Sequence, residues 1–287
     1  MTLTAPARPD YRFEVKYLLD PARLQTFQQA VRQWVVPDEH HGKHQSYRSY
    51  SVYFDSPQLV CFQEKLEGFA DRFKVRLRRY QPDPGGPTTA WFLEIKWKHE
   101  QVIAKDRVQV SEALVRRLLG GQVFEDVLGR EGLPVGSQVS YLIARHHLQP
   151  TLTVLYTRSA YRGVFDRDLR ITYDRALQCS FSAGLDASTA ARYLVLPPTL
   201  TCLELKFRAS LPRWMTRLIQ ALQLQPLTLS KYALSVERCF GEERWVRRLI
   251  HQELDWDARI RRWEEHARSP RPTTSWAPIT PRSAASV

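Results

Sequence analysis

Long hydrophobic runs are missing from this chain of 287 residues. Apolar stretches such as Leu152–Tyr156 stop after about five residues, far short of the roughly 20 that a helix needs to cross a bilayer. No membrane span is therefore expected. Met1–Asp10 has no apolar centre, so no signal peptide is expected there, and a flexible N-terminus over residues 1–10 is. Cysteine is sparse: Cys61, Cys179, Cys202 and Cys239 lie far apart, with no CxxC and no histidine spacing suited to zinc. Buried free thiols in a reducing, cytoplasmic compartment are the expected reading. Internal repeats are absent as well. What is present, 43% hydrophobic residues and 11% aromatics, suffices to bury a core. That excludes a disordered chain, a collagen-like repeat and a disulfide-stapled mini-domain.

Acidic residues are in deficit, 30 against 42 Lys+Arg, for a net charge of +12. Residues 242–287 hold nine Arg and seven Asp/Glu, so +10 stays with residues 1–241. The excess belongs to the folded body and suggests a polyanionic partner: nucleic acid, anionic lipid or a phosphate compound. Lysine is scarce, nine against 33 arginines, and most of the nine fall in strand-like segments.

The alternating stretch 12-RFEVKYLL-19 predicts a strand, after which Asp20-Pro21 opens a helix through about Val36. A His-bearing loop, residues 38–45, leads to a strand at 47–55 and a short helix near Leu59–Leu66. Residues 72–80 alternate strongly, and 90–98 with 103–110 read as a hairpin. Ser111 caps a helix that Gly120-Gly121 stops. Residues 123–147 are mixed and mostly helical. Three more strands are expected at 150–161, 168–174 and 200–208, then a helix from Pro212 and another from Ser230. The stretch 242–267 reads as a charged helix carrying Trp245, Trp256 and Trp263, and 268–287 as a disordered tail. The class is α+β with a mostly antiparallel sheet.

Residues i, i+2 and i+4 of a strand share a face. Arg12, Glu14 and Lys16 thus oppose Phe13, Val15 and Tyr17; Arg72, Lys74, Arg76 and Arg78 oppose Phe73, Val75 and Leu77. Glu94, Lys96 and Lys98 oppose Trp91, Leu93, Ile95 and Trp97, with Lys105 and Arg107 on the next strand. Arg170 shares a face with Asp174, and Glu204, Lys206 and Arg208 oppose Leu203, Leu205 and Phe207. A sheet with one solvated face accounts for any one of these strands. Taken together, the faces carry almost one sign, and like charges side by side are costly unless an anion sits there. Glu-x-Lys also recurs in three strands, at Glu14/Lys16, Glu94/Lys96 and Glu204/Lys206. A closed barrel with its charged face inward and its apolar face against covering helices accounts for the whole pattern. Its lumen would hold a poly-oxyanion, with a few carboxylates left for a divalent metal.

RFEVKYLL, YFDSPQLVCFQEKLEG, RFKVRLRRY, LEIKWK with AKDRV, the strands of Arg158 and Arg170, LELKF and SKYALSV resemble, in order over residues 11–240, the VTC domain. This is the polyphosphate polymerase-like branch of the triphosphate tunnel metalloenzymes, the CYTH-like superfamily. The resemblance implies an eight-stranded antiparallel tunnel over residues 11–241, flanked by helices, that binds a nucleoside triphosphate or polyphosphate. It further implies phosphate ligands at Lys16, Arg76, Arg78, Lys96, Arg158, Arg170 and Lys206, a metal carboxylate at Glu204 and a phosphate-contacting lysine at Lys231. The superfamily's triphosphatases carry Glu-x-Glu-x-Lys on the first strand; here Arg12 replaces the first Glu, which moves the balance from hydrolase toward the VTC type.

Phosphoryl transfer needs charge neutralisation, in-line positioning and a metal, and no protein nucleophile. Arg suits it as a bidentate fork and Lys as a point charge. Lys74, Lys98, Lys105 and Arg107 join the expected phosphate or nucleotide contacts. Glu14 and Glu94 are secondary metal candidates and primarily orienting partners for lysines, and the competing role for Glu204 is an internal salt bridge to Lys206 or Arg208. His40, His41, His44, His146 and His147 are not expected to bind metal. The expected activity is an Mn2+- or Mg2+-dependent transfer of the terminal phosphoryl of ATP to phosphate or polyphosphate. The alternatives are a triphosphatase or tripolyphosphatase in the same tunnel and a non-catalytic polyphosphate or inositol-phosphate binding module. Nucleic acid is not an expected partner, because the basic groups point inward and no nucleic-acid motif is present. A membrane-protein partner is implied by the family alone. Arg76 and Arg78 are expected to repel each other in the empty tunnel.

Overall fold

Alternation of apolar and charged residues gathers ten strands of the computed structural model into one sheet. The structure describes residues 12–38, 46–82, 87–100, 102–121, 134–181 and 192–241. The expected flexible N-terminus, the loop of His40, His41 and His44, the 242–267 helix with its tryptophans and the 268–287 tail lie outside them. In chain order the elements are β1 (Phe13–Leu19), α1 (Pro21–Val31), β2 (Val35–Pro37), β3 (Tyr47–Asp55), α2 (Val60–Leu66), β4 (Asp71–Gln81), β5 (Trp91–His99) and β6 (Val102–Val110). There follow α3 (Glu112–Leu119), α4 (Pro134–His146), β7 (Gln149–Gly163), β8 (Arg170–Ser180), β9 (Tyr193–Leu194), β10 (Thr201–Phe207), α5 (Arg213–Ala221) and α6 (Lys231–Phe240).

Local chemistry sets several of these boundaries. Asp20 accepts from the Arg23 N–H to cap α1, Ser111 caps α3 and Ser230 caps α6. Gly121, at φ +72°, carries the chain away from α3 in a conformation that a side chain resists. Helix α1 ends at Val31, five residues before the expected Val36. Val35 and Val36 are β-branched and Pro37 disfavours the helical region for Val36, so this stretch pairs with β7 as β2 instead. Strand β8 runs on to Ser180, beyond the expected 174, through a register shift opposite Leu155–Thr157 where Ala176 takes φ +51°.

The sheet is antiparallel throughout, in the order β1-β10-β8-β7-β3-β4-β5-β6, with β2 on β7 and β9 on β8 off this path. It does not close as a ladder, which corrects the expectation of a sealed barrel. Among the described residues the two ends pair at one isolated bridge, Arg12 with Ile103. Antiparallel register then sets Phe13 opposite Val102, where β6 begins, so β1 runs past the tip of the β5–β6 hairpin. Eight strands thus curl round far enough to bring β1 beside β6.

The outer face of the sheet holds the hydrophobic core. On the outer face Tyr17, Leu203, Leu205, Ile171 and Tyr173 pack with Phe27 and Val31 of α1 and Met215 and Leu218 of α5. Val75, Leu77, Leu93 and Ile95 are inaccessible on the outer face of β4 and β5, while α4 packs on β5 and β6. Burial of each such side chain contributes about 1.5–3 kcal/mol, and the outer face therefore fixes which residues point inward. The inner face carries the charge.

Candidate functional site

Three clusters of opposite charge cover that inner face. In the first, Glu14 of β1 faces Lys206 of β10, and Lys16 faces Glu204. Lys16 Nζ lies 2.8 Å from Glu14 Oε1 and donates to the Leu229 carbonyl at 2.8 Å. Lys206 Nζ lies 3.4 Å from Glu204 and 3.6 Å from Glu14. Lys96 reaches Glu14 at 3.3 Å from β5, so strands remote along the sheet path meet across the interior.

The second cluster surrounds Glu94, whose side chain is wholly buried. Arg76 Nε donates to Glu94 Oε2 at 2.7 Å and Arg76 Nη1 to the Tyr53 hydroxyl at 2.9 Å. Arg78 Nε donates to Ser51 Oγ at 2.9 Å, with its Nη1 3.7 Å from Glu94, and Lys105 Nζ lies 2.6 Å from the other oxygen. Arg76 and Arg78 thus share a counter-ion, and the repulsion expected between them is largely offset.

In the third, Arg158 forks onto Asp174 at 2.6 and 2.7 Å and reaches Glu204 at 3.1 Å. Lys231, the first residue of α6, sits 2.5 Å from both Asp174 and Glu204. Arg208 is exposed and pairs with Asp168, so Lys206 is the β10 cation that answers Glu204.

The remaining expected residues lie at the margins. Lys74 donates to Ser230 Oγ at 2.7 Å and sits over the Tyr232 ring, and among the described residues it has no ion pair. Lys98 is half-buried. Arg107 is exposed and lies 4.5 Å from the Phe92 ring. Arg170 is held by Asp38 at 2.6 Å. His146 packs against Phe73 at the end of α4.

Asp174 and Asp38 are the acids that sequence reasoning did not assign to the site. For Asp174 a signal existed, since it shares the inward face of β8 with Arg170. Asp38 follows β2 outside any periodic stretch, and its side chain, fully buried between Arg162 and Arg170, meets them only through the fold. Tyr53 and Tyr156, which hydrogen-bond Arg76 and Arg78, are likewise masked in sequence by aromatic-rich strands.

The interior is strongly positive. One cavity of about 500 Å³ is walled by eleven Lys/Arg side chains and two carboxylates, Glu14 and Glu204. A second, of about 630 Å³, shares Arg76, Arg78, Lys96, Arg158 and Lys206 and adds Tyr47, Tyr80 and Phe92. Burial opposes ionisation of Glu204, but Lys231, Lys206 and Arg158 outweigh it and hold its carboxyl well below the usual range. Burial is likewise outweighed at Glu14 by Lys16, Lys96 and Lys206. Lysines short of carboxylate move the other way. Burial, then Lys96 and Lys16, hold Lys74 well below the ordinary lysine value, and burial brings Lys96 down to about 7 even beside Glu14. Lys105 is brought down to about 8, again by burial against the pull of Glu94. Such an interior favours a multivalent anion with closely spaced oxygens.

A family model described as the VTC domain matches residues 11–240. The chain belongs to the VTC domain family. This VTC domain is 23% identical over 248 residues to vacuolar transporter chaperone complex subunit 4 of Trypanosoma cruzi, a match covering 73% of this chain and 30% of that protein. It is 28% identical over 133 residues to subunit 2 of the same complex in Schizosaccharomyces pombe, covering 43% and 18%. The matched part is thus less than a third of either relative. Among solved structures, the PH1819 protein of Pyrococcus horikoshii aligns over 79% of this chain and 98% of its own, with 13% identity and a TM-score of 0.40.

For a divalent ion, the described residues of this VTC domain offer one buried group, Asp174, Cys202 and Glu204, whose ligand atoms lie within 4.8 Å of one another. Burial pushes the Cys202 thiol up to about 12, and a protonated thiol is no ligand for a hard cation. The two carboxylates suit Mg2+ or Mn2+, which are commonly held by one or two carboxylates plus substrate phosphates. Glu14 and Glu94 lie outside this group. Arg158 and Lys231 already occupy both Asp174 oxygens and Glu204, so the donor set fits an ion only where substrate phosphates draw these two cations off the carboxylates.

Proposed function

We propose that this VTC domain transfers the terminal phosphoryl group of a nucleoside triphosphate, ATP foremost, to phosphate or to the end of a polyphosphate chain. The observation that carries the reading is the excess of cations around one cavity: eleven basic side chains, of which Arg76, Arg78, Arg158 and Lys231 are buried, against two carboxylates. No other ligand class matches it as well, because each phosphate unit presents non-bridging oxygens that Arg and Lys can bind together.

The chain's own contribution is positioning and charge. Arg76, Arg78 and Arg158 are held by Glu94, Ser51, Tyr53 and Asp174, so their remaining N–H groups stay aimed at the interior without reorganisation. Lys16, Lys96 and Lys206 add point charges gathered around Glu14. A terminal oxygen of the acceptor attacks the γ-phosphorus, the bond to the β–γ bridging oxygen breaks, and the nucleoside diphosphate leaves with that oxygen's electron pair. Glu204 and Asp174 would hold an Mn2+ or Mg2+ ion, which when bound neutralises charge on the phosphate oxygens. In this proposal the domain works in the cytoplasm, where its free thiols suit a reducing medium, beside a membrane-protein partner, a reading supported by the vacuolar transporter chaperone complex named for its relatives.

Phosphorus NMR of the purified protein with ATP and Mn2+, with and without a polyphosphate primer, tests this. Phosphoanhydride signals from mid-chain phosphate should grow in step with ADP. Orthophosphate alone would replace the transferase with a hydrolase in the same cavity. Binding without turnover would leave a polyphosphate-binding module.

A further inference from the structure

Helix α6 is secured by different chemistry at its two ends. Its first turn holds Lys231 on Asp174 and Glu204, and Tyr232 on Asp55. Its last turn carries Cys239, whose Sγ lies 3.0 Å from the Sγ of Cys179 on β8. Both are free thiols; Cys179 is fully buried, and Cys239 keeps 8% exposure at the helix end. Closing from that separation to the ~2.05 Å of a disulfide needs only a small shift of either side chain.

We propose that Cys179 and Cys239 are a redox pair that takes a hydroperoxide as oxidant and closes into a reversible disulfide between β8 and α6. One thiolate of the pair attacks a peroxide oxygen, the O–O bond breaks, and hydroxide leaves, giving a sulfenic acid. The other thiolate then attacks that sulfur, the S–O bond breaks, and a second hydroxide leaves. The two protons released by the thiols convert both hydroxides to water, so two thiols and one hydrogen peroxide give one disulfide and two waters. A small-molecule dithiol reverses the step by exchange.

The other two cysteines are internal controls. Neither Cys61 nor Cys202 has a second thiol within hydrogen-bond reach. Burial and the neighbouring Asp55 push the Cys61 thiol far up, and burial pushes Cys202 up to about 12. Cys179 and Cys239 instead share a hydrogen bond that either thiol can donate, and the accepting sulfur, with Arg238 nearby, is favoured as thiolate. Reactivity follows the thiolate, so oxidation should select this pair. The bond would fix the far end of the helix whose first turn presents Lys231 to the interior.

The test uses the full chain, treated with hydrogen peroxide, unfolded, alkylated with iodoacetamide and digested. Two of the four thiols should be lost, with a mass lower by two hydrogens and one linked peptide pair joining Cys179 to Cys239. Dithiothreitol should restore all four. Hydrogen exchange of the α6 amides should slow in the oxidised form, and Cys239→Ser should abolish both the link and the slowing. Four alkylated thiols after oxidation, a link through Cys61 or Cys202, or separate sulfinic acids on Cys179 and Cys239 would overturn the proposal.

Discussion

Lysine 96 is the residue at which the charge balance of the interior is closest to tipping. It borrows Glu14 from β1, shares it with Lys16 and Lys206, and ends with a value near 7. Lys105, at about 8, faces the same problem around Glu94. Because these folded-state values lie below the unfolded lysine value of about 10.4, the folded protein holds fewer protons than the unfolded chain between them, and the empty protein gains stability as pH rises through that window. A bound polyanion reverses the balance by favouring the charged amines. Tripolyphosphate binding at about pH 8 should therefore take up protons, and affinity should fall as pH rises from about 6.5 to 9. Titration calorimetry in two buffers of different ionisation heat measures the uptake directly. Lys96→Met should remove a large part of it, and proton-neutral binding across the range would sink the idea.

Element by element, the site depends on how α2 and α6 are tied to β3. Helix α2 follows Leu59, a left-handed residue with no side-chain cap of its own. Asp55, the last residue of β3, supplies one from a distance: its Oδ1 accepts from the Ser56 and Cys61 N–H groups, and its Oδ2 from Phe62 N–H and from the Tyr232 hydroxyl at 2.5 Å. One buried carboxylate thus joins three elements. Tyr232→Phe leaves that carboxylate short of a donor and should cost about 1.5–3 kcal/mol, the scale of a hydrogen bond to a charged group. Urea unfolding should show a lower midpoint with an unchanged slope; an unchanged midpoint would mean that the Asp55–Tyr232 contact contributes nothing net. None of this was legible in the sequence, where Asp55 reads as the end of a strand. The local signals were legible: period-2 alternation placed β1, β4, β5, β8 and β10 and oriented their charges, and Asp20, Ser111 and Ser230 marked helix starts. Relations between distant segments were not, which is why Asp38 was missed and why Arg76 and Arg78 read as mutually repelling rather than joined by Glu94. Closure of the sheet failed for the same reason, since it rests on the register between β1 and β6.

For the whole molecule, a net charge of +12 folded largely around an interior surface means that stability and ligand binding are linked. A ligand that binds only the folded state adds RT ln(1 + [L]/Kd), about 2.7 kcal/mol at a hundredfold excess over Kd, so tripolyphosphate should raise the melting temperature, and added salt should shrink the rise. Arg76→Ala separates the two effects. It removes one of three cations from Glu94, a carboxylate with no exposure, while Arg78 and Lys105 stay. Losing one hydrogen-bonded partner of a buried charge should lower the stability of the empty protein by about 2 kcal/mol. The ligand-induced rise should shrink as well, with affinity weaker by about 1.5–3 kcal/mol, because Arg76 can no longer bind phosphate oxygens. Arg217 on the exposed side of α5 is the control: Arg217→Ala should leave both the empty protein and the ligand-induced rise within about 0.5 kcal/mol of the original. Melting curves of the three proteins, with and without tripolyphosphate at two salt concentrations, decide the matter. A full ligand-induced rise in Arg76→Ala would remove the guanidinium from the binding surface and leave it as a structural partner of Glu94 alone.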